Sequence, residues 1–499
     1  MALWSLISGA LLLLLGLVAV CFLLYCAYIQ YIHMKYDHIP GPPRDSFLLG
    51  SLPTLMRSMK DDNLVHELFL RWAQTYGPVV RINALHNVMI FLTSPNGVKE
   101  ILMSPKYTKD DVYRRAFSLF GVRFLGTGLL TDRNYDHWHK QRRVMDPSFS
   151  RTYLMGLMGT FNEKAEELME RLSEKADGKC EVSIHEVMSK VTLDVIAKVA
   201  FGMDPRSLQD DQTPFPRAIS LVMQGVAATR SPLVQYTPGR RAFIRDVRES
   251  VRLLRQTGKD CIERRQKSIQ DGEDVPADIL SQILKGAAVE DSYDLESLLD
   301  NFVTFFIAGQ ETTANQLAFA VMELARYPDV LERVQGEIDD VFGSRRDVTY
   351  EDLNKLQYLS QILKETLRLY PTAPGTSRLL DKALVIEGLR IPPNVSLVFN
   401  SYVYGRMEQH FKDPLRFDPD RFAPESERPH FTYFPFSLGP RSCIGQVFSQ
   451  MEAKVVMAKL LQRFEFQLTD GQSFDMVDSG TLRPKDGVMC CLQQRNTRN

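Results

Sequence analysis

Cysteine is scarce in this sequence, with 7 among 499 residues. That is too few for a disulfide-built scaffold, and the odd number leaves at least one thiol for other chemistry. An excess of charge of one sign is also missing: Lys and Arg total 60, Asp and Glu 61, and the formal net charge is −1. A nucleic-acid binder needs a basic surplus to meet phosphates, so no nucleic-acid partner is expected. Phosphate-cradling loops are lacking too. Gly126-Thr127-Gly128 misses the third glycine of a dinucleotide fingerprint, and no Gly-Lys-Ser/Thr loop occurs. The chain is therefore expected to hold no nucleotide of its own. Past Pro43 there is no second long apolar run, low-complexity tract or internal repeat, which argues against a multi-span membrane protein.

What is present first is a long apolar start. Leu3 to Ile29 is almost wholly apolar, and the first lysine is Lys35. As a helix this stretch spans about 40 Å, more than a bilayer core needs. It lacks the positive n-region and short h-region of a cleaved signal. Residues 1–34 are expected to be an uncleaved anchor, a buried core helix being the alternative. Lys35 and Arg44 follow it, which places the main body in the cytosol. Pro40-Gly41-Pro42-Pro43 resists helix, so residues 35–50 read as a stiff hinge before a catalytic body over 51–499. Strand signals fall near Val79–Leu92, Leu384–Val398 and Phe464–Leu468. Helical spacing covers Leu154–Lys175, Val187–Phe201, Ala242–Gln266, Leu295–Arg326, Ser360–Tyr370 and Gln446–Phe464. The pattern predicts a mostly α fold with a small β region (α+β), not alternating βαβ units. Ala218–Leu233 is largely apolar and reads either as a membrane-dipping segment or as a core helix followed by a loop.

The most informative stretch is Phe436-Ser437-Leu438-Gly439-Pro440-Arg441-Ser442-Cys443-Ile444-Gly445. One cysteine sits among small and turn-forming residues, just before a helical run. Peptide N–H groups near a helix start stabilise a thiolate. Gly439 and Gly445 let backbone approach a flat ligand. Such a sulfur serves as a nucleophile, a zinc ligand or a haem ligand. Zinc needs three further ligands at short spacing, and none lies nearby. A nucleophile needs a histidine base, for which His430 is the neighbour in sequence.

Three further patterns stand out. Glu365 and Arg368 are three apart, on one helix face and within ion-pair reach. Ala308-Gly309-Gln310-Glu311-Thr312-Thr313 puts a glycine, an acid and two hydroxyls inside an apolar helix, where each is costly without a partner. Local rules broken together point to a site, although a helix kink with back-bonded hydroxyls is the plain alternative. Trp138-His139-Lys140-Gln141-Arg142 adds a cationic run, read otherwise as a solvated face.

Together these segments resemble the cytochromes P-450, the haem-thiolate monooxygenases, whose signature Phe-x-x-Gly-x-Arg-x-Cys-x-Gly is matched at every fixed position. The resemblance implies haem b with Cys443 as the axial ligand of iron. It implies Trp138, Arg142, Arg378 and Arg441 as partners of the haem propionates. Arg421 joins Glu365 and Arg368 in a buried structural triad. Thr312 becomes a distal hydrogen-bond donor and Glu311 the start of a proton relay. A thiolate pushes electron density toward iron and favours O–O cleavage. The implied reaction consumes O2, two electrons and two protons. With no flavin or nucleotide motif, the electrons come from an NADPH-dependent flavoprotein reductase, and the setting is the endoplasmic reticulum membrane.

Within the family the chain is most similar to the branch of animal cholesterol 24-hydroxylases, through segments such as HIPGPPRDSFLLG, WHKQRRVMDPSFS and LLDNFVTFFIAGQETTANQLAF. That implies a sterol substrate reaching the site from membrane lipids and a pocket lined by Phe117, Leu119, Phe120, Ile307, Ala308, Pro374 and Thr481. Pro371–Thr376 reads without the bulky aromatic of that branch, so another lipid or a xenobiotic is the alternative substrate. Rival readings are a haem-thiolate isomerase, which would need no relay at Glu311 and Thr312, and a non-enzymatic carrier. Asn394-Val395-Ser396 is a glycosylation sequon that would count against a cytosolic body.

Overall fold

The computed structural model describes residues 2–60, 64–231, 234–290 and 294–495. They divide into two compact units, residues 1–107 with 375–407 and residues 108–374 with 408–499.

The first unit opens with the helix Ala2–Tyr36. From Leu6 onward it is long and apolar enough to cross a membrane. Its last turns differ from the rest, since Ile29, Ile32, His33 and Tyr36 are buried. The Tyr36 hydroxyl donates to the Pro393 carbonyl at 3.3 Å. The proline segment then runs against the strand Val79–Ala84. Arg81 N–H donates to the Pro40 carbonyl at 2.7 Å. A Cβ on Gly41 would stand 2.2 Å from the Arg81 carbonyl oxygen, so only glycine permits this approach. The strands run in the order Val79–Ala84, Asn87–Leu92, Val395–Asn400, Gly375–Leu380. The two middle strands pair in parallel and the outer pairs are antiparallel. The expected Leu384–Val398 strand is three strands: Leu384–Ile386, Leu389–Ile391 and Val395–Asn400. Positive φ at Glu387, Gly388 and Asn394 turns the chain between them.

The second unit is helical around one large apolar core. Its axis is the helix Leu295–Arg326, the range expected from spacing, which begins with the Asp294 carboxylate accepting the Ser297 N–H at 2.5 Å. Nearly every residue from Ser297 to Leu324 is buried. Against this helix pack Ile184–Phe201, Arg241–Gln270, Gln357–Leu369 and Gln446–Arg463. A three-stranded sheet joins Phe464–Leu468, Met489–Gln494 and Asp177–Ser183 in that order. Asp177–Ser183 is rich in polar residues and Met489–Gln494 runs four apolar residues before two glutamines, so neither shows an alternation in the sequence. Leu154–Lys175 breaks at Gly156 into Arg151–Met155 and Met158–Ser173. Ala218–Leu233 contains the end of the helix Phe215–Ala228, whose Ala218, Ile219, Val222 and Met223 face inward, the core-helix alternative. Residues 232–233 lie outside the described residues.

Candidate functional site

The Cys443 loop lies in the second unit and is folded back on itself. Ser437 and Gly439 take positive φ of 58° and 68°. Gly439–Arg441 makes one tight turn, closed by Ser442 N–H on the Gly439 carbonyl at 3.0 Å. Cys443 N–H then donates to the Phe436 carbonyl at 2.9 Å, leaving the sulfur one turn ahead of the helix Gln446–Arg463. The Gly445 N–H donates toward the sulfur, and a Cβ at Gly445 would lie 3.9 Å from Sγ. The expected anion-stabilising donor is thus in place, with Arg142 and Lys109 adding positive charge. Burial nevertheless outweighs them and pushes the Cys443 thiol up. A bound cation would reverse that balance. Cys443 as a residue keeps accessible surface despite this surrounding.

Among the described residues no three His, Cys, Asp or Glu side chains gather to hold a metal ion. His430 is exposed, and its ring neighbour is Phe431.

Beside the loop stands the helix Tyr135–Met145, capped by the Asn134 side chain on His137 N–H at 3.0 Å. Trp138 and Arg142 are four apart on one face of it. Arg142 donates to the Ser442 carbonyl at 2.7 Å and to Asp146 at 2.5 Å. The Arg441 guanidinium lies 3.8 Å from the buried Trp138 ring, and its Nη1 donates to the Asp132 carbonyl at 3.0 Å. Trp138, Arg142 and Arg441 are therefore brought together around Cys443. Arg378 belongs to the first unit, on the strand Gly375–Leu380, where its buried guanidinium donates to Thr376 Oγ1 and the Ser377 carbonyl, both at 2.9 Å.

On the long helix, Ala308 is exposed although residues 301–307 before it are buried, and Thr312 one turn on is half-buried. An exposed alanine in the most enclosed helix marks an open space within the core. Thr312 Oγ1 donates back to the Ala308 carbonyl at 2.9 Å. Glu311 is buried, and its Oε2 accepts from Thr481 Oγ1 at 3.0 Å. Burial raises the Glu311 carboxyl, while Thr481, Arg483 and Asn315 oppose that rise. Gly309 has a packing reason: a Cβ there would stand 2.7 Å from Ile196 Cγ1. The Gln310 carbonyl accepts from Thr192 Oγ1 at 3.0 Å, which ties the same two helices together.

Glu365, Arg368 and Arg421 do come together. Arg368 grips Glu365 with two hydrogen bonds of 2.7 Å, both side chains being fully buried. Arg421 Nε adds an ion pair at 3.4 Å, and Asp418 N–H donates to Glu365 at 2.8 Å. The spare donors of Arg368 meet the carbonyls of Pro414 and Arg416.

Of the expected pocket residues, Leu119, Ile307, Pro374 and Thr481 are buried, and Phe117 is 37% exposed with Arg123 over its ring at 5.0 Å. Phe120, at φ 49°, sets its ring edge-to-face against Phe243. The Thr481 hydroxyl is engaged by Glu311 and by Asn315 at 3.2 Å. Asn315 is a residue the sequence reading passed over. Its signal was the spacing of four from Glu311, which puts both on one helix face.

Comparison with known proteins bears on this arrangement. The family model described as Cytochrome P450 matches residues 40–492. Cytokinin hydroxylase of Arabidopsis thaliana is 30% identical over 91% of this chain and 90% of its own length. Cytochrome P450 4d2 of Drosophila melanogaster is 28% identical over 86% of this chain and 88% of its own, and mouse Cytochrome P450 3A11 is 26% identical over 87% and 86%. The family uses a haem iron with a thiolate ligand, consumes O2 and draws on a redox partner. With the cysteine loop and the polar-interrupted long helix in place, the family-model match across nine-tenths of its length makes this chain a member of the cytochrome P450 family.

Proposed function

We propose that this protein is a membrane-anchored haem monooxygenase that hydroxylates the side chain of a sterol, cholesterol at carbon 24 being the assignment its sequence resemblance favours. The single observation that carries the monooxygenase reading is the pair of accessible residues in a buried setting, Cys443 just ahead of the helix Gln446–Arg463 and Ala308 with half-buried Thr312 on the long helix packed against it. These residues fit a flat, iron-bearing group. Cys443 would hold the iron through its sulfur, and Trp138, Arg142 and Arg441 would meet the propionates. When bound, the haem supplies the oxygen-activating chemistry, for which RH, O2, two electrons and two protons give ROH and H2O.

The chain's own residues supply the rest. Arg142 and Arg441 hold the loop by its Ser442 and Asp132 carbonyl contacts. The Glu365–Arg368–Arg421 triad pins the segment 414–418 and serves folding around haem, not turnover. Thr312 keeps a hydroxyl at the edge of the space, and Glu311 stands behind it as a buried acid that gives or takes a proton at Oε2. Phe117, Leu119, Phe120, Ile307, Ala308 and Pro374 would line the apolar substrate side. Residues 1–34 would anchor the protein in the endoplasmic reticulum with 35–50 as hinge and the catalytic body, 51–499, in the cytosol, where an NADPH-dependent flavoprotein delivers electrons. The apolar, exposed helix from Leu6 supports the anchor.

The test is a spectral titration of purified protein with cholesterol and other lipids, followed by product analysis with reductase. A substrate-type shift with cholesterol and a side-chain alcohol as product support the assignment. Turnover of unrelated lipids with no cholesterol response would overturn the sterol half and leave the monooxygenase half standing.

A further inference from the structure

Glu311 is the end of a chain of hydrogen bonds that runs to the edge of the second unit. Thr481 Oγ1 meets Glu311 Oε2 at 3.0 Å, Asn315 Nδ2 donates to Thr481 Oγ1 at 3.2 Å, and Asn315 Oδ1 meets His185 Nε2 at 2.8 Å. Asn315 is fully buried and Thr481 nearly so, whereas His185 is half-buried at the start of the helix Ile184–Phe201. The chain has one direction. The Asn315 amide nitrogen can only donate, so Thr481 accepts from it and turns its own proton to Glu311. The amide oxygen can only accept, so His185 carries a proton on Nε2. Three donors in series thus point at one carboxylate oxygen, and hydrogen bonds in such a row strengthen one another. The charged groups that act on this row are Arg483, which acts on both Glu311 and His185, and Glu186 beside His185.

Resting on the monooxygenase reading, we propose that His185, Asn315 and Thr481 are positioning residues for proton delivery, a polarised chain that fixes Glu311 Oε2 and aims hydrogen-bond donors at it. An amide does not pass protons on readily, so the chain orients and polarises Glu311 and is not itself the proton's route. Thr481, expected as a pocket residue, acts in this account through Glu311.

The experiment is infrared titration of the Glu311 carboxyl band in the haem-loaded resting protein, assigned by its loss in Glu311→Gln. This readout needs no turnover. Ionised Asn315→Asp accepts only, so it turns the Thr481 proton away from Glu311, but it also sets a like charge beside that carboxyl, so the uncharged Thr481→Val carries the test. Asn315→Asp and Thr481→Val are expected to move the titration midpoint upward by about one pH unit or more, the loss of one hydrogen bond to a charged group. Thr481→Ser should restore it. In turnover, the same two variants should release severalfold more peroxide per NADPH with unchanged KM. His185→Phe, at the partly exposed end, gives a smaller upward shift and keeps the test open should Asn315→Asp fail to fold. An unmoved Glu311 band in Thr481→Val and His185→Phe would overturn the proposal. Loss of the wild-type protein's thiolate-haem spectrum would instead overturn the reading beneath it, and the two failures are distinct.

Discussion

A hydroxyl at Thr312 has two uses within its reach. At rest it donates to the Ala308 carbonyl at 2.9 Å, which is the ordinary way a helix accommodates a buried threonine. Its half-buried position, one turn from the exposed Ala308, suits the other use proposed for it, donation to a bound ligand. Thr312→Ala is expected to fold normally and to consume oxygen, with most reducing equivalents lost as peroxide. Unchanged product per NADPH would remove Thr312 from proton delivery. At this scale the sequence was most legible where a residue type is intrinsically costly: a thiol in a glycine-bearing loop, an acid in an apolar helix, an Arg three from a Glu. It was least legible where cost is cancelled by a partner far along the chain. Asn315 meets Thr481 across 166 positions and His185 across 130, and nothing local announces either contact.

At the scale of elements, periodicity found the helices because burial on one face repeats over many turns. Leu295–Arg326 and Phe464–Leu468 match their expected ranges, whereas Asp177–Ser183 and Met489–Gln494, short and partly exposed, do not betray their pairing. Gly309 shows how a site signal can have a packing cause. Gly309→Ala puts a methyl 2.7 Å from Ile196 Cγ1 and should destabilise the protein by about 1–3 kcal/mol, overpacking outweighing the gain in helix propensity. In that background Ile196→Ala should cost less than it does alone, and a double-mutant cycle of denaturant midpoints checks this. Additive effects would contradict the contact.

The cysteine helix carries a titrating load as well. Burial, with Lys364 nearby, lowers the Lys454 ammonium from 10.5 to about 8, while its Nζ donates to the Leu353 carbonyl at 2.7 Å. Because the folded value lies below the unfolded one, the penalty is full below pH 8 and fades as pH rises toward 10.5. Lys454→Met should therefore raise the Tm at pH 7 more than at pH 10. A pH-independent difference would contradict this sign.

For the whole molecule, the proposed role of the buried triad Glu365–Arg368–Arg421 ties folding to the cofactor. Removing the Arg368 guanidinium leaves the fully buried Glu365 carboxylate with the longer Arg421 contact and the Asp418 N–H, a change that typically costs about 3–5 kcal/mol. Arg368→Ala should yield chain without bound haem. Soluble, haem-replete Arg368→Ala would show that the triad does not govern haem retention. The apolar first helix, the proline segment and the helical body were all visible as composition. The docking of Gly41 against Arg81 was not, since a proline-rich segment reads as a spacer whether or not a strand receives it.

Everything in the proposed chemistry depends on sulfur as the iron's axial ligand. The most direct measurement is the ferrous–carbon monoxide spectrum of the purified protein beside Cys443→Ala. The account predicts the red-shifted Soret band of thiolate ligation in the wild type and its loss in the variant. A wild-type band of the nitrogen-ligated kind, or an unchanged thiolate band in Cys443→Ala, would contradict it.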